Sequence, residues 1–457
     1  MKLGGATTEK KVDNNREICY YNNCTLALFQ PQTQQKEGLP MWDPYAEFQL
    51  ATLPNGLTIH AAHWPGRPWE AMGFLIHSGA EYDPVGFEGL AHFIEHLVSE
   101  NAGVSKKDIC AFFEDCGGMV NLGTTGYPYT QYRFFVPTDK AVLARAFSMF
   151  GHMLLSAKLE KFIERERQVI IGEFHRYYPV KFKLDLDVRE HKALYTGYWL
   201  ERLVRPLGNP ESVTRITRSE LQLHYDSHYT PANMSVVGVG GMKLKEIVEL
   251  LSESPFATSK EGVRTPLPTP VTDVTPPSET RHVFEISKHL TMPIEVGAYR
   301  SVAKIPGNIN GRVIRIMNEM FNEMLFEEVR ERRAWAYAID SSRYNFRHFY
   351  KFSINCEALA LKAIDDIEEV IEVCIASMAD REDLFEQAKR RTLASNFMID
   401  STGKSICDDA LEDLAGNQRI ISLKEIGDDL ERVTMSDVRG VLQWLRPERR
   451  WTLITRP

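Results

Sequence analysis

Residues 89–100 read GLAHFIEHLVSE, and this short stretch carries the most chemical information in the chain. The apolar residues recur at helical spacing, which predicts a helix from about Glu88 to Ser99. His92 and His96 stand four residues apart, so both imidazoles project from one face of that helix and can reach the same zinc ion. Glu95 lies beside them, where its carboxylate can take a proton from water.

This arrangement is the inverted zinc-protease motif, H-x-x-E-H. A catalytic zinc ion usually takes a third protein ligand and leaves a fourth position for water, so another acidic residue has to come from elsewhere in the fold. The helical stretch LEKFIERERQVIIGEFHRYY, residues 159–178, offers Glu164, Glu166 and Glu173. Spacing alone leaves the choice among these three open.

Short strands precede and follow the motif. FQLATL and LTIHAA flank the turn Pro54-Asn55-Gly56 and predict a hairpin, and WEAMGFLIHSG predicts a third strand. After the motif we expect a helix over 105–116, two strands over 117–137, helices over 138–178 and a strand near 234–241. These elements form a first α+β unit.

A Pro-, Ser- and Thr-rich stretch at 254–280 predicts a linker, after which the order of strands and helices repeats. The fold class is therefore α+β, with two homologous α/β-sandwich domains, each a mostly antiparallel sheet covered by helices. We expect an N-terminal extension at 1–45, a zinc-binding domain at 46–253, the linker at 254–280, and a second domain without the zinc motif at 281–457.

Composition narrows the class of protein. Of 457 residues, 43% are hydrophobic and 25% charged, as in ordinary globular proteins with a large core. The net charge of -8 argues against nucleic acid as a partner, and no apolar run is long enough to cross a membrane. The start of the sequence lacks the features of a signal peptide, so we expect a cytoplasmic location. Seven cysteines without CxxC spacing predict reduced thiols.

The chain resembles the M16 metallopeptidase family from about residue 48 to residue 457. In that family the third zinc ligand is a glutamate 77 positions after the second histidine, which falls on Glu173 here. The same resemblance marks Glu166, one heptad earlier, as the accessory acid of the site. IHSGAEYDPVGFEGLAHFIEH resembles the family's lead-in to the zinc helix, although residues 78–81 depart from the usual order.

Two further segments extend the resemblance. GGMVNLGTTGYPYTQYRFFV, residues 117–136, is similar to the strand whose exposed edge pairs with substrate, and Asn121 matches its asparagine. Leu122 stands where alanine is usual. In the second half, VRERRAWAYAI resembles the family's substrate-contacting segment, which assigns Arg330 and Tyr337 to substrate binding. Their side chains can donate hydrogen bonds to a peptide carbonyl or to an oxyanion.

The resemblance implies a zinc endopeptidase that hydrolyses peptides or unfolded precursor segments inside a dimeric chamber. It implies one zinc ion per chain, with Glu95 moving the proton from water to the leaving amine. Because this chain holds both the zinc set and the Arg/Tyr pair, we expect a homodimer in which the pair acts across the interface. A heterodimer with a related subunit, and a catalytically silent scaffold or binding subunit, are the alternatives.

Overall fold

The computed structural model describes residues 42–286, 296–398 and 402–457. Its strands fall into two sheets, each in its own half of the chain. The first sheet contains β1 (Phe48–Thr52), β2 (Thr58–His63), β3 (Trp69–Ile76), β4 (Met119–Thr125), β5 (Thr130–Pro137) and β6 (Met234–Gly240). The second contains β7 (Arg281–Glu285), β8 (Val296–Pro306), β9 (Asp340–Asn345), β10 (Phe349–Ala360) and β11 (Arg450–Arg456).

The helices surround these sheets. In the first half they are α1 (Leu90–Glu100), α2 (Lys106–Asp115), α3 (Lys140–Leu155), α4 (Ile163–Tyr177), α5 (Lys181–Leu194), α6 (Pro210–Arg215), α7 (Arg218–His228), α8 (Leu244–Ser252) and α9 (Pro255–Thr258). In the second half they are α10 (Gly311–Leu325), α11 (Ile367–Met378), α12 (Glu382–Phe397), α13 (Gly403–Asn417), α14 (Leu423–Arg432) and α15 (Met435–Leu442).

The first sheet has the order β1-β2-β6-β3-β5-β4, and only the β2–β6 pair is parallel. The predicted β1–β2 hairpin is present, and its turn uses Gly56 at a φ of +86°. A residue with a Cβ rarely adopts that conformation, so glycine suits the turn. Because β4 lies at the edge, one side of its backbone is free to pair with another strand.

The second sheet has the order β7-β11-β8-β10-β9, and its single parallel pair is β7–β11. β9 is its edge strand next to β10. Each sheet is therefore mostly antiparallel, as expected for the fold class. The fold class predicted from the sequence, two α/β sandwiches of similar plan, is confirmed.

Each half also contributes one helix to the other half's sheet. On the first sheet, Met72 and Phe74 of β3 face the core shared with α1 and α3, whereas Ala71 and Leu75 face α13. On the second sheet, the face that carries Val302 and Trp451 packs against α5. Both faces of β3 are thus covered, which explains its nearly continuous apolar sequence.

Two details differ from the sequence prediction. The helix expected from Asn310 to Arg332 ends as an α-helix at Leu325 and continues as a π-helical turn, Phe326–Glu331. The strands expected from Ala334 onward begin at Asp340. The predicted linker contains α9 at its start and no further helix or strand until β7. The domain boundaries stay a prediction, and the proposed extension lies almost wholly outside the described residues.

No helix in the described ranges has both the length and the apolar character needed to cross a bilayer.

Candidate active site

The histidine-bearing helix α1 is anchored at its N-terminus by Asp83. The Asp83 carboxylate accepts hydrogen bonds from the backbone N–H groups of Gly89, Leu90 and Ala91, at 2.7, 3.2 and 2.9 Å. These are groups that a helix cannot satisfy internally. Asp83 is itself buried, and burial raises its pKa to about 8, whereas the three hydrogen bonds favour the ionised carboxylate. Asp83 therefore fixes the start of α1.

Burial on α1 decides which way the histidines point. Phe93, Ile94 and Leu97 are fully buried in the first core, so His92 and His96 occupy the opposite side of the helix. Both histidines are only partly buried. The imidazoles lie with their ring centroids 4.7 Å apart.

The second helix of the site is α4, which runs beside α1. Arg167 fixes it, because its guanidinium donates hydrogen bonds to the backbone carbonyls of Val213 and Ile216. Glu166 and Glu173 are two helical turns apart and face α1. Glu164, the third candidate from the sequence, is exposed and pairs with Arg167 instead. The structure thus separates Glu164 from the site.

His92, His96 and Glu173 converge on one point. One ligand atom from each lies within 4.8 Å of the others. Glu173 Oε2 is 3.2 Å from His92 Nε2 and 3.8 Å from His96 Nε2. Tetrahedral zinc with bonds of about 2.05 Å holds its ligand atoms roughly 3.3 Å apart. The donor types and their spacing both fit zinc.

Carboxylates contact the outer nitrogens of both histidines. Glu166 Oε2 lies 3.0 Å from His96 Nδ1, and Glu95 Oε2 lies 3.3 Å from His92 Nδ1. A carboxylate in this position fixes the ring and keeps the other nitrogen available for a metal. Glu166 is buried, and Arg165 bridges it to Glu100 on α1. Glu166 therefore orients His96 and ties α4 to α1.

Glu95 sits against the edge strand β4. Its Oε2 accepts a hydrogen bond of 2.9 Å from the Thr125 hydroxyl. Burial by itself would raise the pKa of Glu95, but the hydrogen bond and charge of His92 outweigh burial and lower that pKa. Glu95 is thus ionised and can accept a proton.

Asn121 lies on the exposed side of β4, and its Oδ1 accepts a hydrogen bond from the backbone N–H of Gly123 at 3.1 Å. The β4–β5 register shifts between Asn121 and Thr124, which is a bulge opposite Glu95. A cavity of about 340 Å³ opens here between β4, Glu95, His96 and α2. A strand added to β4 would pass over the convergent ligands.

Arg330 and Tyr337 form a stacked pair in the second half of the chain. The Arg330 guanidinium stacks on the rings of Tyr337 and Phe326, at 4.7 and 4.9 Å from their centroids. Tyr337 is 78% exposed, which is unusual for a large aromatic side chain, and Arg330 is partly exposed. Among the described residues Arg330 forms an ion pair with Glu331 and with no residue of the α1–α4 site.

Comparison with known proteins gives the family. Residues 61–211 match the family model described as "Insulinase (Peptidase family M16)", and residues 215–392 match "Peptidase M16 inactive domain". Together the two models account for well over half of the chain. The chain belongs to the M16 peptidase family. The H-x-x-E-H segment lies within residues 61–211. Residues 215–392, which match the domain described as inactive, do not contain this motif.

Curated relatives match a little under half of the chain. "Probable mitochondrial-processing peptidase subunit beta, mitochondrial" from Arabidopsis thaliana is 28% identical over 225 residues, which is 47% of this chain and 41% of that protein. The corresponding beta subunit of Neurospora crassa is 30% identical over 207 residues, 44% of this chain and 42% of that protein. These matches span about two fifths of the relatives' own length.

Solved M16 structures share the fold. A crystal structure of an M16-like peptidase from Alicyclobacillus acidocaldarius superposes with a TM-score of 0.73 at 19% identity, covering 92% of this chain and 99% of that one. The likeness therefore extends through both halves of the fold.

The structure brings together five of the site residues predicted from the sequence. It also shows Asp83 and Thr125 in contact with the helix or side chain that they support. His92, Glu95, His96, Glu166 and Glu173 form one cluster, with Asn121 beside it on the edge strand. Arg330 and Tyr337 lie apart from that cluster. Sequence analysis missed Asp83 and Thr125, because a helix cap and a hydroxyl contact across the sheet leave no spacing signal.

Proposed function

We propose that the protein is a zinc-dependent endopeptidase that hydrolyses peptides or unfolded precursor segments. The observation that carries this proposal is the convergence of His92, His96 and Glu173 next to the ionised carboxylate of Glu95. Membership of a peptidase family supports the reaction class. The metal and the activity itself go beyond that membership.

In this proposal His92, His96 and Glu173 hold the metal, and Glu166 keeps the His96 ring in position. When bound, zinc supplies a Lewis acid that polarises the scissile carbonyl and lowers the pKa of water. Glu95 accepts the proton of the attacking water and returns it to the leaving amine. Thr125 holds the Glu95 carboxylate in place through its hydroxyl.

The free edge of β4 supports an extended peptide as the substrate. Backbone groups on this edge can hydrogen-bond to any peptide main chain regardless of its side chains. In this proposal the bulge at Asn121–Thr124 lets the peptide run above Glu95, within reach of the exposed Asn121. We therefore assign Asn121 to substrate binding.

Arg330 and Tyr337 supply the remaining contacts in our proposal. Because Tyr337 is exposed and Arg330 contacts its neighbours Phe326 and Glu331, the pair is suited to meet the zinc site of a second chain. A homodimer would then form a chamber with two complete sites. A heterodimer is the alternative, since the similar proteins of Arabidopsis and Neurospora are named as beta subunits.

The test of the reaction compares two substitutions on α4. Glu173→Gln should lose bound zinc and at least about 10³-fold in peptide hydrolysis, because one of three metal ligands is gone. Glu164→Gln is the matched control, since Glu164 lies on the same helix but its ion pair is with Arg167 rather than with either histidine. Equal zinc content and equal activity in the two variants would contradict the proposed metal site.

The test of the assembly mixes inactive chains. Glu95→Gln lacks the proton acceptor and Arg330→Ala lacks the substrate contact, so each alone should be inactive. Co-refolded at equal amounts, they should recover up to about one quarter of wild-type activity through mixed dimers, each of which has one intact site. No recovery, with dimers present by light scattering, would contradict action across a homodimer interface.

A catalytically silent scaffold is the second candidate, because residues 215–392 match a domain described as inactive. The two candidates differ in what the wild-type chain does to an unstructured peptide library in the presence of zinc. Cleavage supports the peptidase, and binding without cleavage supports the scaffold. A cytoplasmic location stays a prediction.

A further inference from the structure

A cavity of about 650 Å³ lies between the outer face of the second sheet and the segment that follows α4. We call it the inter-sheet cavity. Its walls come from the loop after β4, the C-terminal end of α4, helix α5, the loop at 204–206, and strands β8, β9 and β10. The site built from α1 and α4 does not include these residues.

Position links this cavity to the proposed site. Tyr178, in its wall, follows Glu173 by five residues, which is roughly 7.5 Å along a helix axis. Tyr127, also in its wall, comes two residues after Thr125, whose hydroxyl contacts Glu95. An extended peptide advances about 3.3 Å per residue, so a separation of that size corresponds to two or three residues of a bound peptide.

The cavity presents cationic side chains in excess of the carboxylates that bind them. Arg300 and Lys351 both contact Glu190, each at 2.8 Å, and Glu190 is almost fully buried. Burial alone would raise the pKa of Glu190, but the charges of Lys351 and Arg300 outweigh burial and lower it. One ionised carboxylate thus faces two cations, which leaves one positive charge.

Arg205 adds a second guanidinium to the cavity. Its Nε donates a hydrogen bond of 3.2 Å to the Tyr178 hydroxyl, and its guanidinium stacks on the rings of Tyr177 and Tyr178. Within the described ranges no carboxylate forms an ion pair with Arg205. The nearby carboxylate of Asp187 already accepts a hydrogen bond of 2.9 Å from Tyr178.

Two buried hydrogen-bond donors without acceptors also favour an acidic ligand. Arg300 Nε and the Tyr195 hydroxyl are buried and have no partner among the described residues. Buried donors without acceptors are rare, because each costs free energy unless something satisfies it. Arg343 also borders the cavity, but in the β9–β10 register it lies opposite Phe352. Because side chains alternate along a strand, the Arg343 side chain is on the opposite face of the sheet from that of Lys351.

We propose that the inter-sheet cavity is a substrate subsite for an acidic side chain, Asp or Glu, two or three residues from the scissile bond. A carboxylate offers acceptors for Arg300 Nε, for the Tyr195 hydroxyl and for the Arg205 guanidinium, which has no carboxylate partner among the described residues. Asp187 and Glu357 are the acidic residues of the wall, and of these Asp187 is hydrogen-bonded to Tyr178 and Glu357 is exposed. The inference rests on the proposed function for the direction and length of the bound peptide.

The test measures binding separately from cleavage. The Glu95→Gln chain with zinc is titrated into fluorescein-labelled 20-residue peptides of one unstructured sequence that carry Glu, Gln or Lys at a single central position. Fluorescence anisotropy should show roughly tenfold tighter binding of the Glu peptide than of its Gln counterpart. One charge-assisted hydrogen bond accounts for a factor of that size.

Substitutions in the cavity wall test whether the preference for the Glu peptide arises in this cavity. Arg205→Gln should reduce the ratio of Glu to Gln affinity to below about threefold, whereas the matched control Arg205→Lys keeps the charge and most of the ratio. Asn355→Asp, an isosteric change in the cavity wall, adds a carboxylate and should lower the ratio without removing any contact of Arg205. Two independent variants keep the test valid if one of them folds poorly.

The outcomes separate this inference from the proposed function. Equal affinities for the Glu and Gln peptides, or tighter binding of the Lys peptide, would overturn the acidic subsite even if the wild-type chain cleaves peptides. An Arg205-dependent preference for Glu would support the subsite even if the zinc-loaded wild-type chain cleaved nothing, which would overturn the peptidase. Absence of peptide binding by any chain would overturn both.

Discussion

The carboxylate of Glu95 lies so close to Gly123 that a Cβ at position 123 would clash with Glu95 Oε1. Gly123 also has a φ of +151°, which residues with a side chain rarely adopt. The edge strand can therefore pass over Glu95 only where it has no side chain. This contact joins the two parts of the proposed machinery, the strand that binds peptide and the helix that carries Glu95.

Replacing Gly123 should disturb this contact. We expect Gly123→Ala to reduce kcat/KM for peptide cleavage by about 10²-fold, because the added methyl group displaces the Glu95 carboxylate by about 1 Å. Bound zinc should remain near the wild-type amount, since the metal ligands are untouched. Gly440→Ala is the control, because a Cβ at that position meets no atom within 4 Å. Unchanged cleavage by the Gly123→Ala chain would argue against Glu95 as the proton acceptor.

The Thr125 hydroxyl should matter through its hydrogen bond rather than its bulk. Thr125→Val keeps the shape but removes the donor to Glu95, so we expect kcat to fall about tenfold with little change in KM. Thr125→Ser keeps the hydroxyl and should retain most of the activity. Steady-state kinetics of both variants provide the measurement. Similar losses in the two variants would point to packing instead.

Asp83 should affect both stability and metal binding. Asp83→Ala removes the acceptor for three N–H groups at the start of α1, so we expect the free energy of unfolding to fall by about 1–2 kcal/mol. Zinc affinity should fall as well, because α1 carries His92 and His96. Asp139, the exposed N-cap residue of α3, accepts hydrogen bonds from two backbone N–H groups and gives the control. Asp139→Ala should cost about 1 kcal/mol of stability without weakening zinc binding.

Equal zinc affinities in the Asp83→Ala and Asp139→Ala chains, measured by competition with a chromogenic chelator, would show that the cap acts on stability alone.

Buried His224 should make the fold sensitive to acid. Burial lowers the pKa of His224 to about 3, so the side chain is neutral in the folded protein, whereas it titrates near 6.5 when unfolded. Below pH 6.5 the unfolded state therefore gains a proton that the folded state cannot bind, and stability falls as the pH decreases toward 3. At pH 5.5 this costs about 1.4 kcal/mol.

Urea unfolding of the wild-type and His224→Gln chains at pH 7.5 and 5.5 measures this term. The loss of stability between the two pH values should be smaller in the variant by about that amount. The same loss in both chains would mean that His224 does not contribute to acid sensitivity.

Much of the fold followed from local sequence patterns. Short apolar runs bounded by turn residues predicted β1, β2 and β3, and the spacing of His92 and His96 placed both on one face of a helix. The exchange of α5 and α13 between the two sheets was not predicted, since nothing in an amphipathic helix states which sheet it will cover. Long-range packing of that kind depends on the shape of both surfaces.

The candidate site, too, was predicted only in part from the sequence. Glu173 was assigned through the family resemblance, because spacing alone left three acids on α4 as candidates. The structure separates them by burial and contact, with Glu164 exposed and paired to Arg167. Asp83, Gly123 and Thr125 act through contacts between elements distant in sequence. Their identities are compatible with many ordinary turns and strands, so no pattern marked them.

Metal content combined with peptide cleavage, for the wild-type chain and Glu95→Gln, tests the central claim most directly. We predict about one zinc per chain in both proteins, because Glu95 is not among the three convergent ligands. We also predict hydrolysis of an unstructured peptide library by the wild-type chain only. Failure of the wild-type chain to bind zinc, or full hydrolysis by the Glu95→Gln chain, would contradict the account.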